Sequence, residues 1–300
     1  MEVAVTGSHG LVGSALVRAL VREGHRARRI VRGTPAGRDE IGWDPETGSV
    51  DAAGLDGVDA VVHLAGAGIG DKRWTPERKR LILESRTRGT DVLARTLAGM
   101  ARKPAVLLSA SGIDYYGPHG DEELTEESPP GTGFLAGVCE RWEDATDPAA
   151  DAGIRIAHIR TGPVLSADGG LLARLLLPFR MGLGGRVGSG SQYMSWIALD
   201  DHISAILHLL ARDDTSGAYN LTAPIPVTNR EFTETLGRVV HRPTRIPTPL
   251  LPLKLRYGSE LVDELLLTGQ RVFPRRLEEA GYRFARPTLE EALRAAVDRH

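Results

Sequence analysis

The chain has one cysteine, Cys139, only four lysines, and no run of about 18 apolar residues that could span a bilayer. A single cysteine closes no intrachain disulfide, and with no CxxC or Cys/His cluster there is no ligand set for zinc or iron–sulfur chemistry, so no metal is expected. A reducing compartment, the cytoplasm, is the expected location. No basic n-region and apolar h-region precede the first strand-like segment. Charge of one sign is missing too: 37 Lys+Arg stand against 39 Asp+Glu for a net −2. No basic excess or amphipathic anchor recommends nucleic acid or a membrane, so a small molecule is the expected partner, with a homodimer open. The scarce lysines, Lys72, Lys79, Lys103 and Lys254, leave lysine-dependent chemistry few places to be. Of the 300 residues 41% are apolar and 25% charged, the make-up of a folded chain rather than a disordered one.

β-favouring residues 2–6 run into glycines 7, 10 and 13, after which Val12, Ala15, Leu16, Ala19 and Leu20 share one helical face. Gly24 ends that helix, and strands are expected at 27–31, 59–64, 105–110 and 154–159. Thr75-Pro76 starts a helix reaching Met100, and another is expected near 134–146. Apolar strands alternating with helices mark an α/β, doubly wound parallel sheet covered on both faces. Further on, residues 181–190 carry five glycines and read as a loop, then come a strand at 193–197 and a helix at 200–211. Pro243, Pro247, Pro249 and Pro252 suggest an irregular connector before short helices at 259–267 and 288–297. The expected division is a nucleotide-binding sheet over 1–165, with 191–222 returning to it, and a smaller lobe from 166–190 and 223–300.

Thr6-Gly7-Ser8-His9-Gly10-Leu11-Val12-Gly13 sits where a first strand meets a first helix. A dinucleotide site needs glycines there for a tight turn, for close approach of backbone to pyrophosphate and for helix–strand packing. A site for NAD would place an acid roughly 20 residues on to take the ribose hydroxyls. This chain has Arg28, Arg29 and Arg32 instead, with no acid until Asp39. Guanidinium matches a 2′-phosphate, so NADP(H) is the expected cofactor, held through Arg32.

Together with the strand Asp59-Ala-Val-Val-His-Leu64-Ala65-Gly66 and with Ser109-Ala-Ser111-Gly-Ile-Asp-Tyr115-Tyr116-Gly117, this turn resembles the extended or atypical short-chain dehydrogenase/reductases. Residues 69–74, 125–130 and 182–196 narrow the resemblance to the bacterial sugar-nucleotide-epimerase-like family with a C-terminal domain of unknown function, sometimes labelled cell-division-inhibitor homologues. The resemblance implies a Rossmann fold and an NADP-type cofactor touching residues 7–12, Leu64, Ala65, Gly66, Arg86, Ser109 and Gly162-Pro163-Val164. Ala67, Arg186, Gln192 and Tyr193 fall where a substrate would lie. The superfamily pairs Tyr and Lys as YxxxK, yet no YxxxK occurs here: Leu135 and Cys139 take those places, and Arg86 replaces a frequent asparagine.

Ser111 is the expected remnant of the usual set, polarising a carbonyl, with Tyr115 or Tyr116 as proton donor. A tyrosine with no cation beside it keeps a pKa near ~10 and suits donation in a reduction better than abstraction in an oxidation. The leading expectation is an oxidoreductase reducing a small carbonyl or sugar-like compound. Alternatives are an NADPH-binding regulator or scaffold without catalysis, and a nucleotide-sugar epimerase. Asp114 offers a second candidate acid but is expected to bond its own turn, Cys139 and His63 to lie in the core, and the acidic run 121–127 to be a solvated loop at the cleft mouth.

Overall fold

The computed structural model describes residues 1–298. Eight strands form the central sheet: β1 (Glu2–Thr6), β2 (Arg26–Arg32), β3 (Glu40–Asp44), β4 (Ser49–Val50), β5 (Ala60–His63), β6 (Val106–Gly112), β7 (Arg155–Thr161) and β8 (Gly217–Leu221). Their spatial order is β8-β7-β6-β5-β1-β2-β3-β4, parallel throughout except for the β3–β4 pair. The order reverses between β1 and β5, and in such sheets a crevice for ligands opens at the carboxyl ends of the strands at this point.

The inner strands are apolar because both of their faces are covered. On one face Leu16 and Leu20 of helix α1 (Leu11–Arg22) join Ile206 and Leu209 against Val3, Val5, Val62 and Leu108. On the other, Leu93 and Leu97 of α2 (Pro76–Ala98) pack with Trp43, Val61, Leu107 and Ile156. Each such side chain taken wholly out of water contributes about 2 kcal/mol. Thr75 caps α2 by accepting from the Arg78 amide, and Pro76 fills its first turn, as the sequence implies.

A third core gathers Phe179, Trp196, Phe232, Leu236 and Leu293. It joins helices Gly170–Arg180, Asn229–Val239 and Leu289–Val297, the last two opened by capping boxes at Thr228/Glu231 and Thr288/Glu291. The expected strand at 193–197 is two short ones, Tyr193–Met194 and Ile197–Ala198, paired to different partners. The proline-rich connector carries a helix, Leu250–Tyr257, with no buried residue. The acidic run 121–127 is not merely solvated loop. Glu123–Leu124 pairs with Arg271–Val272, and Glu126, only 8% exposed, accepts from the amides of Asn220 and Arg276.

Candidate active site

The glycine turn is shaped as its spacing requires. Gly7 has φ +62°, and a side chain there would set its Cβ 2.8 Å from the Leu64 carbonyl oxygen; a Cβ on Gly13 would collide with the Gly7 carbonyl. The Gly10 amide donates to Gly7 O (2.9 Å), and the first bond of α1 runs from the Ser14 amide to Gly10 O (2.9 Å). The earlier amides of α1 therefore have no partner within the helix, and Gly10 at its N-cap brings no side chain to occupy them. His9 and Gly10 are exposed, so backbone donors and the helix dipole face solvent here, which is what a pyrophosphate needs.

Several expected contacts are restricted by the packing. The Thr6 hydroxyl accepts from the amides of Leu64 (2.9 Å) and Ala65 (3.2 Å) and meets His63 Nδ1 at 2.8 Å. Leu64 and Ala65 can then offer a ligand carbonyls and surface but not these donors. His63 is in the core as expected, its pKa lowered to about 4 by burial. Ser8 and Ser109 lie enclosed at 1% and 0% exposure, and neither hydroxyl has a hydrogen-bond partner among the described residues.

The three arginines of β2 divide their roles. Arg28 bridges to Glu2, and Arg29 Nη1 donates to the Ser8 carbonyl (2.7 Å), tying the glycine turn to β2. Arg32 is exposed at the end of the strand, with no salt bridge among the described residues. Its charge acts on Asp44, already held low by hydrogen bonds from Thr47 and Glu46. Arg29 is a structural contributor that the sequence did not single out.

At the carboxyl end of β6 the expected catalytic residues separate. Ser111 Oγ donates to Glu143 Oε1 (2.7 Å), and Arg160 clasps the same carboxylate through Nε and Nη2, both at 2.8 Å. Burial pushes the Glu143 carboxyl up, but Arg160 holds it below the usual carboxylate range. Arg160 Nη1 also donates to the Tyr116 hydroxyl (3.0 Å), which donates to Asn220 Oδ1 (2.7 Å). Tyr116 has no exposed surface, and burial raises its hydroxyl to about 12. Ser111 and Tyr116 thus belong to a closed polar network, and the Ser111 proton is engaged rather than free to polarise a carbonyl. Tyr115 is half-buried with its ring on the Arg160 guanidinium (3.4 Å); burial raises its pKa despite that charge.

Glu143 and Arg160, 17 residues apart in the chain, were invisible as a pair because only the crossing of α3 (Phe134–Asp144) over β7 joins them. Arg86, 7% exposed, stacks on Trp142, and its Nη1 donates to the carbonyls of Ala67 (2.9 Å) and Ile82 (3.1 Å). It lies directly under Gly66, where a Cβ would come 3.2 Å from its Cζ. Cys139 is buried as expected, and burial pushes its thiol up to about 12.

The remaining expected residues serve as loop braces. Gly162 is pressed against the Ser195 carbonyl, Pro163 O accepts from the Ile197 amide (3.0 Å), and Val164 pairs in register with Ile197. Arg186 donates to the carbonyls of Gly188 and Ser189 in its own loop. Gln192 joins Val187 O (3.0 Å) to Leu266 O (2.8 Å), and the Tyr193 ring faces Arg271. The polar groups of Arg186 and Gln192 are thus already engaged with loop backbone.

Asp114 keeps the expected bond to its own turn, its carboxyl accepting from its own backbone amide. Its carboxyl borders a recess of about 110 Å³ under α3, together with Leu135 and with Glu264 from the C-terminal segment. Burial raises its pKa to about 6, with Glu264 adding to the shift and Arg86 opposing it. Among the described residues no His/Cys/Asp/Glu group could hold a metal, and no helix is long and apolar enough to cross a membrane.

With a glycine turn at the first strand–helix junction of a doubly wound sheet, the chain belongs to the NAD dependent epimerase/dehydratase family, which matches residues 3–222, and a domain of unknown function matches 248–296. An extended short-chain dehydrogenase/reductase fold is thereby shown. An epimerase family protein of Mycobacterium bovis is 46% identical over 297 residues, covering 99% of this chain and 98% of that one. The crystal structure of the human epimerase family protein SDR39U1 with NADPH superposes with a TM-score of 0.92 at 34% identity, covering 99% of each chain. A nucleoside-diphosphate sugar epimerase from Corynebacterium glutamicum gives 0.82 at 36% identity, over 99% of this chain and 58% of that one.

Proposed function

We propose that the protein binds NADPH in preference to NADH and uses it to reduce a small carbonyl or sugar-like compound. The observation that carries the cofactor reading is Arg32, exposed at the end of β2 and in no salt bridge among the described residues, where an NAD site would carry an acid. The relative crystallised with NADPH supports it. Residues 7–12 would cradle the pyrophosphate on backbone amides at the start of α1. Gly66, Ala67 and Arg86 on one side and Gly162 to Val164 on the other would flank the nicotinamide end. When bound, NADPH supplies a hydride; the chain must orient the carbonyl, exclude water and deliver a proton to its oxygen.

The missing Tyr–Lys dyad favours reduction over epimerisation. A side-chain acid that keeps its proton at neutral pH can give it to a carbonyl oxygen, whereas epimerisation through a keto intermediate needs abstraction as well. Tyr115, raised above its ordinary value, fits donation only.

Fluorescence titration of the purified protein with NADPH and with NADH tests the cofactor reading. Arg32→Glu is expected to weaken NADPH binding about tenfold or more while leaving NADH within about twofold, since a charge-assisted hydrogen bond of about 1.5–3 kcal/mol is removed. Equal losses for both cofactors would overturn the assignment of Arg32.

A further inference from the structure

The recess beneath α3 joins two carboxyl groups from distant parts of the chain. Asp114 follows β6, and Glu264 stands on the turn Asp263–Leu267 of the C-terminal domain. Glu264 accepts from the amides of Phe134 and Leu135 at 3.3 Å each, capping α3, which has only Gly133 at its N-cap. Neither carboxyl has a salt-bridge partner among the described residues, and the walls between them are Gly133, Leu135, Thr268 and Gln270. The charged and titratable groups acting on Asp114 are Glu264 across the recess and Arg86 from α2; the Cys139 thiol of α3 lies beside it with its proton held on. Arg86 makes no salt bridge among the described residues; its guanidinium underlies Gly66 and acts on Asp114. One buried cation thus connects the bend after β5, on the cofactor side, with the recess.

We propose that Asp114 is the proton donor for carbonyl reduction in this recess, with Glu264, which caps α3 on the same recess, as the positioning residue. The inference deepens the reductase reading and rests on it. The carbonyl carbon accepts a hydride from NADPH while its oxygen takes the Asp114 proton; the products are an alcohol, NADP⁺ and a carboxylate that solvent reprotonates. A carboxyl that titrates near neutrality is a better donor there than a tyrosine raised above its usual range, because acid strength and protonated fraction are balanced close to the working pH. Two carboxyl groups and no cation on the lining select a neutral, hydroxylated carbonyl compound and repel a carboxylate or phosphate at this end.

The test uses the full chain with NADPH and two probes, glyceraldehyde (neutral, hydroxylated) and glyoxylate (anionic), together with ¹³C titration of the carboxyl groups without cofactor. Expected are NADPH oxidation with glyceraldehyde above glyoxylate, a rate that declines as pH rises above about 6, and an Asp114 resonance titrating there. Asp114→Asn should lower kcat by about a hundredfold or more with NADPH affinity within about twofold. Glu264→Gln should move both the rate limb and the resonance to lower pH. Full turnover in Asp114→Asn, loss confined to Tyr115→Phe, or an Asp114 resonance in the ordinary carboxylate range would overturn the inference and leave the reductase reading standing. NADPH binding without oxidation by either probe would overturn both.

Discussion

Replacing Asp114 with asparagine should make the protein more stable at pH 8. Its carboxyl titrates at about 6 in the fold against 3.8 when unperturbed, mainly because burial disfavours the anion. The folded state therefore holds the proton more tightly than the unfolded chain, and stability declines as pH rises between those two values. At ~1.4 kcal/mol per pKa unit, the ionised carboxyl costs the fold about 3 kcal/mol at pH 8 and about 1 kcal/mol at pH 4.5. Asparagine keeps the shape of the neutral acid and has no charge to desolvate. With an unfolding entropy of about 2.1 cal/mol/K per residue, that corresponds to a Tm about 5 °C higher at pH 8, shrinking to 1–2 °C at pH 4.5. Thermal denaturation followed by circular dichroism across this range reads the difference directly. A gain that does not vary with pH, or no gain, would show that Asp114 is not held in a charge-averse site. A stabilised protein that has lost turnover would be the trade expected where a strained group serves chemistry.

Glu143→Ala leaves Arg160 buried without its carboxylate and is expected to cost about 3–5 kcal/mol in urea denaturation. The Glu143 carboxyl is held below its ordinary value in the fold, so its stabilising contribution is present at neutral pH and lost on acidification, and the gap between wild type and variant should narrow towards acid. Gly13→Ala places a methyl against the Gly7 carbonyl and should abolish NADPH binding in the fluorescence titration, with a lower Tm. Cys139, buried with its thiol raised to about 12, should react with a thiol reagent only after denaturation; rapid labelling of the native protein would contradict this packing.

The local signals were the ones that sequence alone could carry. The glycine spacing of residues 7–13 determined a positive-φ turn because Gly7 has no room for a Cβ, and Thr75-Pro76 determined the start of α2 through a cap that needs only neighbouring residues. The buried strands β1, β5 and β6 were legible from their largely apolar runs, and β7 from Ile154, Ile156, Ala157 and Ile159. Strand β8 and the helix Asn229–Val239 were not, since β8 is specified by pairing with β7 and that helix by a cap and a core shared with distant segments.

At the site the division is sharper. Sequence showed that Tyr and Lys were absent from the YxxxK places and that arginines replaced an acid on β2. Only the tertiary structure decided that Ser111 donates its hydrogen bond to Glu143, that Tyr116 is sealed in by Arg160 and Asn220, and that Glu264 lines the same recess as Asp114. Turn and cap chemistry acts between residues a few positions apart, so it is written in order along the chain. A carboxyl's proton affinity is set by what surrounds it in space, and for Asp114 those surroundings come from α2, α3 and a segment 150 residues further on.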